Sequence, residues 1–507
     1  MTHAMRKIPS TMATQHPDNA DAPYWDKAGS PFISFHQEIS EAVVCFKDYG
    51  VSEYMWDWEG KHADAAVIDR LFSDYYDYFS KNQLGRDKFL TFRIPNIWEE
   101  KGYSLLQAMT VILTSEDFAR DLKFAHRPLF EIILPMTERA DQLMHMQLLF
   151  QKLAHFKSSQ FTPDGTKNTD YLELIPLVES VESQQSVGAL LAEYVRLHEK
   201  HFGTRPEYIR PFLARSDPAL VSGLLSTVIA NKLALSRIQE YSESTGIAMY
   251  PISGVGSLPF RGGLTPNTID SYVQEYPGMR TVSIQSSFRY DYPINTVKAA
   301  IKNLEKVLPN TLPQIIDAAD QQKLETIGAA SAKLYQEALS GIAVDMGPFF
   351  DAVPRRRDRR QHIGLLAYGR TMGQQKMPRA ITFTAGFYSI GVPPEFIGMG
   401  RSLKKIGPDG VSVVKKYYRN ILSDLERAGR FLNSDNLAKL AANNPAWKQV
   451  QTDVAEAENI LDLRFGPQSK DEIAHHKLSA DALLIKDNRE VLTGLIEKMA
   501  VLRRSLG

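Results

Sequence analysis

The chain has 507 residues, 43% of them hydrophobic and 23% charged, an ordinary globular composition in a chain too long for one small core. Lys+Arg and Asp+Glu both number 59, so no net field draws in nucleic acid or an anionic membrane surface. A lone cysteine, Cys45, excludes an internal disulfide, and no apolar run reaches the ~18 residues of a membrane span.

Residues 1–30 are rich in Pro, Asp, Thr and His, and the extreme N-terminus lacks an apolar signal core, so a cytoplasmic location is expected. Ser10-Thr-Met-Ala-Thr-Gln-His-Pro-Asp-Asn19 is closely followed by Tyr24 and Trp25, which need a surface to pack on. This stretch reads as an ordered loop laid across a folded body, and Cys45, in Glu41-Ala-Val-Val-Cys-Phe46, as a small buried residue on a helix face.

A rhythm follows. Apolar or β-branched runs centre near Tyr54, Leu90, Ile132, Leu174, Ile209, Met249 and Val282, spaced 33 to 42 residues apart. Between them Ala63–Tyr78, Glu138–Phe156, Val181–Leu197, Asp217–Tyr241 and Asn295–Leu308 carry apolar residues at helical spacing. Strands alternating with single helices predict βαβ units and a parallel sheet. Seven such units point to an α/β fold, a (β/α)8 TIM-type barrel whose eighth strand is unassigned; an open doubly wound sheet is the competing arrangement. After residue 310 the pattern turns helical, at Gln314–Leu339, Val413–Leu440, Val450–Leu463 and Glu490–Leu506. The expected organisation is residues 1–50 as a loop and helix covering the barrel, 51–310 as βα units, and 311–507 as a mainly helical portion that completes the barrel and offers an oligomer surface.

Active sites of such barrels sit where strands end and helices begin. The predicted strand ends all carry polar groups, among them Trp56-Asp-Trp-Glu59, Phe92-Arg-Ile-Pro-Asn96, Pro176-Leu-Val-Glu179, Leu213-Ala-Arg-Ser-Asp217, Ile252-Ser-Gly-Val-Gly256 and Ile284-Gln-Ser-Ser287. Glu179 and Asp217 end consecutive strands and can reach one cation; oxygen ligands without a His/Cys cluster suit Mg2+ or Mn2+ better than Zn2+. The alternative is a salt bridge at Glu179 and a helix cap at Asp217. Ser253-Gly-Val-Gly256 is half a dinucleotide fingerprint, but Pro259 and Phe260-Arg-Gly-Gly263 break the helix that fingerprint needs. A phosphate or carboxylate loop, with Arg261 kept movable by Gly262 and Gly263, stands against a plain turn. Arg93 ends an apolar strand and must face the barrel mouth or be paired. His16 lies on a loop, where a histidine is ordinarily solvated or structural. Arg355-Arg-Arg-Asp-Arg-Arg360 has no interleaved aromatics and reads as a surface or an anionic-effector site rather than a nucleic-acid site. Arg379 precedes a strand-like run, Ala380-Ile-Thr-Phe-Thr384, and Arg401 closes the same segment; either can reach an anion or serve structure.

Taken together, Ser10–Asn19 and the rest of the chain resemble archaeal-type phosphoenolpyruvate carboxylase. Motifs of the longer bacterial and plant carboxylases are similar to segments here: Thr-Ala-His-Pro to Thr14-Gln-His-Pro17, pointing to His16 as catalytic; Pro-Leu-Phe-Glu and Tyr-Ser-Asp-Ser to the segments ending at Glu179 and containing Asp217, pointing to metal ligands. Their glycine–arginine loop resembles Ser253, Gly254 and Gly256 through Arg261-Gly-Gly263; their strand arginine resembles Arg93, and their Leu-Arg-Ala-Ile resembles Pro378-Arg-Ala-Ile381. The chain departs from the pattern at Ser253-Gly-Val, where a histidine and an arginine are missing, at Leu220 in place of a lysine, and near Gly391 in place of an arginine. Arg215, Arg210 or Arg401 are candidates to supply the missing contacts. The resemblance implies a lyase that carboxylates phosphoenolpyruvate with bicarbonate to oxaloacetate and phosphate, through carboxyphosphate and a metal-bound pyruvate enolate. It implies Mg2+ or Mn2+, a homotetramer, Arg93, Arg261 and Arg379 on the anions, and the Ser253–Gly263 and N-terminal loops as lids. The alternatives are another barrel enzyme that makes an enolate, such as an aldolase or a phosphoenolpyruvate mutase-like protein, and a non-catalytic binder of phosphorylated metabolites.

Overall fold

The computed structural model describes residues 6–15, 32–100, 102–161, 169–354, 358–359, 371–372 and 375–507. Eight parallel strands close a barrel: β1 (Thr11–Thr14), β2 (Glu53–Asp57), β3 (Phe89–Arg93), β4 (Glu131–Leu134), β5 (Glu173–Val178), β6 (Phe212–Ala214), β7 (Ile252–Gly254) and β8 (Thr281–Ile284). Neighbours in the sheet are neighbours in sequence, and β1 closes the ring by pairing Ala13 with both Ile284 and Tyr54.

The closing strand therefore lies in the segment expected to be a covering loop, and none comes from beyond residue 284. The composition of Thr11-Met-Ala-Thr14 concealed it: only two of its four residues are apolar, although all four are buried. Two other strands lie a few residues later than expected. Tyr208–Ile209 and Ala248–Met249 pair with each other outside the barrel, and the barrel strands begin only after Pro211 and Pro251.

Side-chain alternation divides the strand residues into two cores. Met12, Met55, Ile133, Ile175, Leu177, Phe212, Ala214 and Ile252 fill the barrel interior. Ala13, Tyr54, Trp56, Ile132, Leu134, Val178, Leu213 and Val282 face outward beneath the helices. The N-terminal end is plugged by Arg210, whose side chain is fully buried. Its Nη1 donates to Glu53 (3.0 Å) and Glu131 (2.7 Å), and its Nη2 to Glu53 (2.7 Å) and Thr281 (3.1 Å), each partner being the first residue of a strand. Arg210 is thus at the end opposite the strand C-termini and is not available to a substrate there.

The helix Ser216–Thr245 joins barrel to helical portion. It is long and apolar enough by composition to cross a membrane, yet 94% of its most apolar window is buried inside the protein. Ala219–Leu233 contribute to the core of the helical portion, and Ala234, Leu235 and Ile238 to that around the barrel. It kinks at Gly223 (φ 79°), where a Cβ would lie 2.7 Å from the ring of Tyr335, whose hydroxyl donates to the Leu220 carbonyl at 2.9 Å. The stretch expected as one helix, Val413–Leu440, is three: Met399–Tyr417, Ile421–Gly429 and Ser434–Asn443. Ala380–Ser389, expected as a strand, is a helix buried in the second core.

Replacing Arg210 by Met leaves Glu53 buried without its cation and Glu131 with Arg6 alone. The expected loss is about 3–5 kcal/mol, read as a lowered denaturant midpoint; an unchanged midpoint contradicts the plug.

Candidate active site

The C-terminal ends of the strands form one rim. Arg93 is its best-defined charge: Nε and Nη2 bind Asp57 side-on at 2.8 and 2.6 Å, and Nη1 meets Glu59 at 2.7 Å. This side-on grip fixes the plane of the guanidinium. Burial works against the Arg93 charge, but Asp57, Glu59 and Glu179 more than offset it and hold its pKa well above the ordinary value. Burial pushes the Glu59 carboxyl up to about 8 in spite of Arg93, and Glu179 and Asp57 add to that push. Three carboxylates thus share the field of one guanidinium, an arrangement that favours a further cation at this rim.

Glu179 follows β5 directly. The register pairs Val178 with Leu213, which sets Glu179 level with Ala214 and Asp217 three residues further on. Both acids are half-buried on neighbouring strands at the same end of the barrel. One Glu179 oxygen accepts the Met136 amide at 2.7 Å. Asp217 sits in the first turn of Ser216–Thr245, where the helix dipole favours a carboxylate. Among the described residues no group of three or more His, Cys, Asp or Glu is placed to hold a metal. Two carboxylates nevertheless fit Mg2+, which takes one or two from the protein and keeps water and substrate oxygens for the rest. They do not make a zinc site.

Arg261 ends the short 3-10 turn Pro259–Arg261 and points back to the rim. Its Nε donates to Ser216 (3.1 Å), Nη2 to Gln285 (2.7 Å) and Nη1 to the Gly507 carbonyl (2.5 Å). Gly256 provides the space: a Cβ there would lie 2.9 Å from Arg261 Cζ. The glycines do not form the expected phosphate cradle. The Gly256 amide donates to the Arg261 carbonyl at 2.8 Å, and Gly254 makes room for the Phe212 ring, 3.0 Å from a would-be Cβ. Nor is the segment a loose lid: Val255–Arg261 is buried throughout.

The structure does not bring Arg215 or Ser253 to the rim. Ser253 alternates outward between inward-facing Ile252 and Gly254, and Arg215 faces Tyr272, Tyr276, Tyr418 and Asp424 behind the turn. Arg215 is 1% exposed, and its Nε and Nη1 have no partner among the described residues. Arg401 is likewise committed elsewhere, to Asp453 through Nε and Nη2, both at 2.9 Å, and to Gln449. Arg379 caps Ala380–Ser389, whose Phe383 stacks on Phe260 with ring centroids 5.7 Å apart, so this helix packs against the turn that carries Arg261.

His16 lies outside the described residues, as do the side chains of Arg355–Arg360. Its predecessor is firmly set. The Gln15 amide donates to Met55 O at 2.9 Å, and its Oε1 accepts from Lys61 at 2.8 Å and from the Asp57 amide at 3.3 Å. Lys61 in turn pairs with Glu38 at 3.1 Å in a fully buried contact. Cys45 is buried as expected, but accepts from Arg289 at 3.1 Å, and Arg289 also donates to the Thr14 carbonyl at 3.2 Å. Asp57, Glu59, Gln15 and Gln285 are rim residues that sequence reasoning did not single out, although the polar strand ends at Asp57–Glu59 and Gln285 carried the signal.

The phosphoenolpyruvate carboxylase family profile matches residues 8–507. A phosphoenolpyruvate carboxylase of Leuconostoc mesenteroides is 52% identical over 503 residues, 99% of this chain and 99% of that protein. One from Oenococcus oeni is 49% identical over 504 residues, with the same coverage of both chains. An archaeal one, from Metallosphaera sedula, is 34% identical over 520 residues, covering 99% of this chain and all of its own.

Gly256→Ala should push the Arg261 head group away, since ordinary carbon contacts need about 3.5–4.0 Å. A crystal structure of the variant is expected to show the bonds to Ser216 and Gln285 broken; both bonds intact would contradict the spacing role of Gly256.

Proposed function

The chain belongs to the phosphoenolpyruvate carboxylase family, in its archaeal type, and from that premise we propose that the rim carboxylates phosphoenolpyruvate through carboxyphosphate and the enolate of pyruvate. The observation that carries this reading is that Glu179, Asp217, Arg93 and Arg261 share one end of the barrel.

A bicarbonate oxygen attacks the phosphorus of phosphoenolpyruvate, and the bond from phosphorus to the enol oxygen breaks. The products are carboxyphosphate and the enolate. Negative charge then resides on the phosphate oxygens and the enolate oxygen, and guanidinium groups fixed in advance stabilise it without reorganisation. Arg93, oriented by Asp57 and Glu59, and Arg261, oriented by Ser216 and Gln285, are such groups; Arg379, at the head of the adjoining helix, is the third arginine assigned to the anions. Glu179 and Asp217 would hold Mg2+ or Mn2+, which when bound supplies positive charge beside the enolate oxygen. His16 accepts the carboxyphosphate proton, the carbon–oxygen bond to phosphate breaks, and CO2 and phosphate separate. The enolate carbon then attacks CO2 and oxaloacetate forms. Water must be kept from the enolate, because its protonation yields pyruvate. The Val255–Arg261 turn, buried throughout, would help to exclude water beside Arg261.

Oxaloacetate formation from phosphoenolpyruvate and bicarbonate should require Mg2+ or Mn2+ and stop with chelator. His16→Asn should lower it by about 10²–10⁴ in rate while bicarbonate-dependent phosphate release persists. Undiminished oxaloacetate formation by that variant contradicts the role of His16.

A further inference from the structure

The turn that carries Arg261 belongs to the barrel, but the groups that hold its backbone come from the helical portion. Glu395, 0% exposed, lies in the 3-10 turn Pro394–Phe396 of that portion. Its Oε1 accepts the Phe260 amide at 2.9 Å and the Tyr388 hydroxyl at 2.8 Å, while its Oε2 has no partner among the described residues. A carboxylate buried this deeply is costly, and core packing alone would be served better by an apolar side chain. Its one bond to the barrel falls on the residue before Arg261. Arg427, on Ile421–Gly429, grips the same turn at both ends, donating to the Ser257 carbonyl at 3.2 Å and the Gly263 carbonyl at 3.3 Å. The two side chains thus hold backbone groups at the start, middle and end of one seven-residue stretch, Ser257–Gly263.

We infer that Glu395 and Arg427 are positioning residues for the carboxylation: they fix the turn so that the Arg261 guanidinium meets the substrate anion in one orientation. This rests on the reading of Arg261 as an anion-binding residue. The physical reason is that the turn's own backbone bonds, such as Gly256 N to Arg261 O at 2.8 Å and Gly263 N to Leu258 O at 3.0 Å, set its shape but are local, while Glu395 and Arg427 anchor that shape to the helical portion. A displacement of about 1 Å at a positioned group costs on the order of a hundredfold in rate.

The test is a double-mutant cycle on the full chain with phosphoenolpyruvate as the varied substrate and saturating bicarbonate and Mg2+. Glu395→Ala is expected to lower kcat/KM by about tenfold to a hundredfold. Glu395→Gln keeps an oxygen acceptor for the Phe260 amide and should stay within about threefold of the unaltered protein. Added to Arg261→Ala, Glu395→Ala should change kcat/KM by less than about twofold, because a residue that acts only through Arg261 has nothing left to position. A purely structural role would not produce this non-additivity. Should Glu395→Ala fail to fold, the half-exposed Arg427→Ala takes its place in the same cycle. A folded variant with unaltered kcat/KM, or an additive cycle, overturns the inference alone. Unaltered kcat/KM in Arg261→Ala overturns the reading of Arg261 and the inference with it.

Discussion

The four residues Thr11–Thr14 pair with a strand on either side, and that double pairing makes the sheet a closed ring. Everything at the site depends on it. A closed parallel barrel has two unlike ends and no edges, so every strand delivers its C-terminal residue to the same rim. The closing strand also brings Gln15 to that rim, tied to Met55, Asp57 and Lys61, with His16 next in sequence. The other end is consumed by the Arg210 network, in which the charges satisfy one another. The division of labour is electrostatic: the N-terminal end is neutralised internally, while the C-terminal rim carries acids in excess around Arg93.

That excess surrounds an Arg93 already paired through Nε, Nη1 and Nη2, so an anion that approaches it needs a further positive charge beside it. Asp57 and Glu59 orient the guanidinium, and the uneven ionisation of the group, with Glu59 pushed up to about 8, marks a rim that holds more carboxyls than one arginine can satisfy. In the proposed reaction a divalent cation held by Glu179 and Asp217 would relieve that crowding. On that proposal the acids have two tasks: Asp57 and Glu59 fix the arginine, while Glu179 and Asp217, on neighbouring strands, would receive the metal.

Much of this was legible in the sequence. The runs near Tyr54, Leu90, Ile132, Leu174 and Val282 are barrel strands because continuous apolar stretches at βα spacing leave few alternatives. Thr11–Thr14 was not legible, since only Met12 and Ala13 of its four residues are apolar and they make no run. The strands near Ile209 and Met249 were misplaced because short outer strands precede the barrel ones across a proline. At the site, Arg93, Glu179 and Asp217 were legible as polar strand ends, and the structure puts them at the C-terminal end of the barrel. Arg215 and Ser253 were mistaken for rim residues because alternation reverses with a one-residue change in where a strand begins, which the sequence does not fix. Glu395 and Arg427 gave no local signal for this role: the turn groups they hold are backbone atoms more than 130 residues away.

The central claim, that Glu179 and Asp217 hold one divalent ion at the rim, is tested most directly by titrating Mn2+ into the protein and its Glu179→Gln and Asp217→Asn variants by electron paramagnetic resonance. One tight Mn2+ per chain, weakened in each variant alone, is the predicted result. Undiminished tight binding in both variants would contradict it.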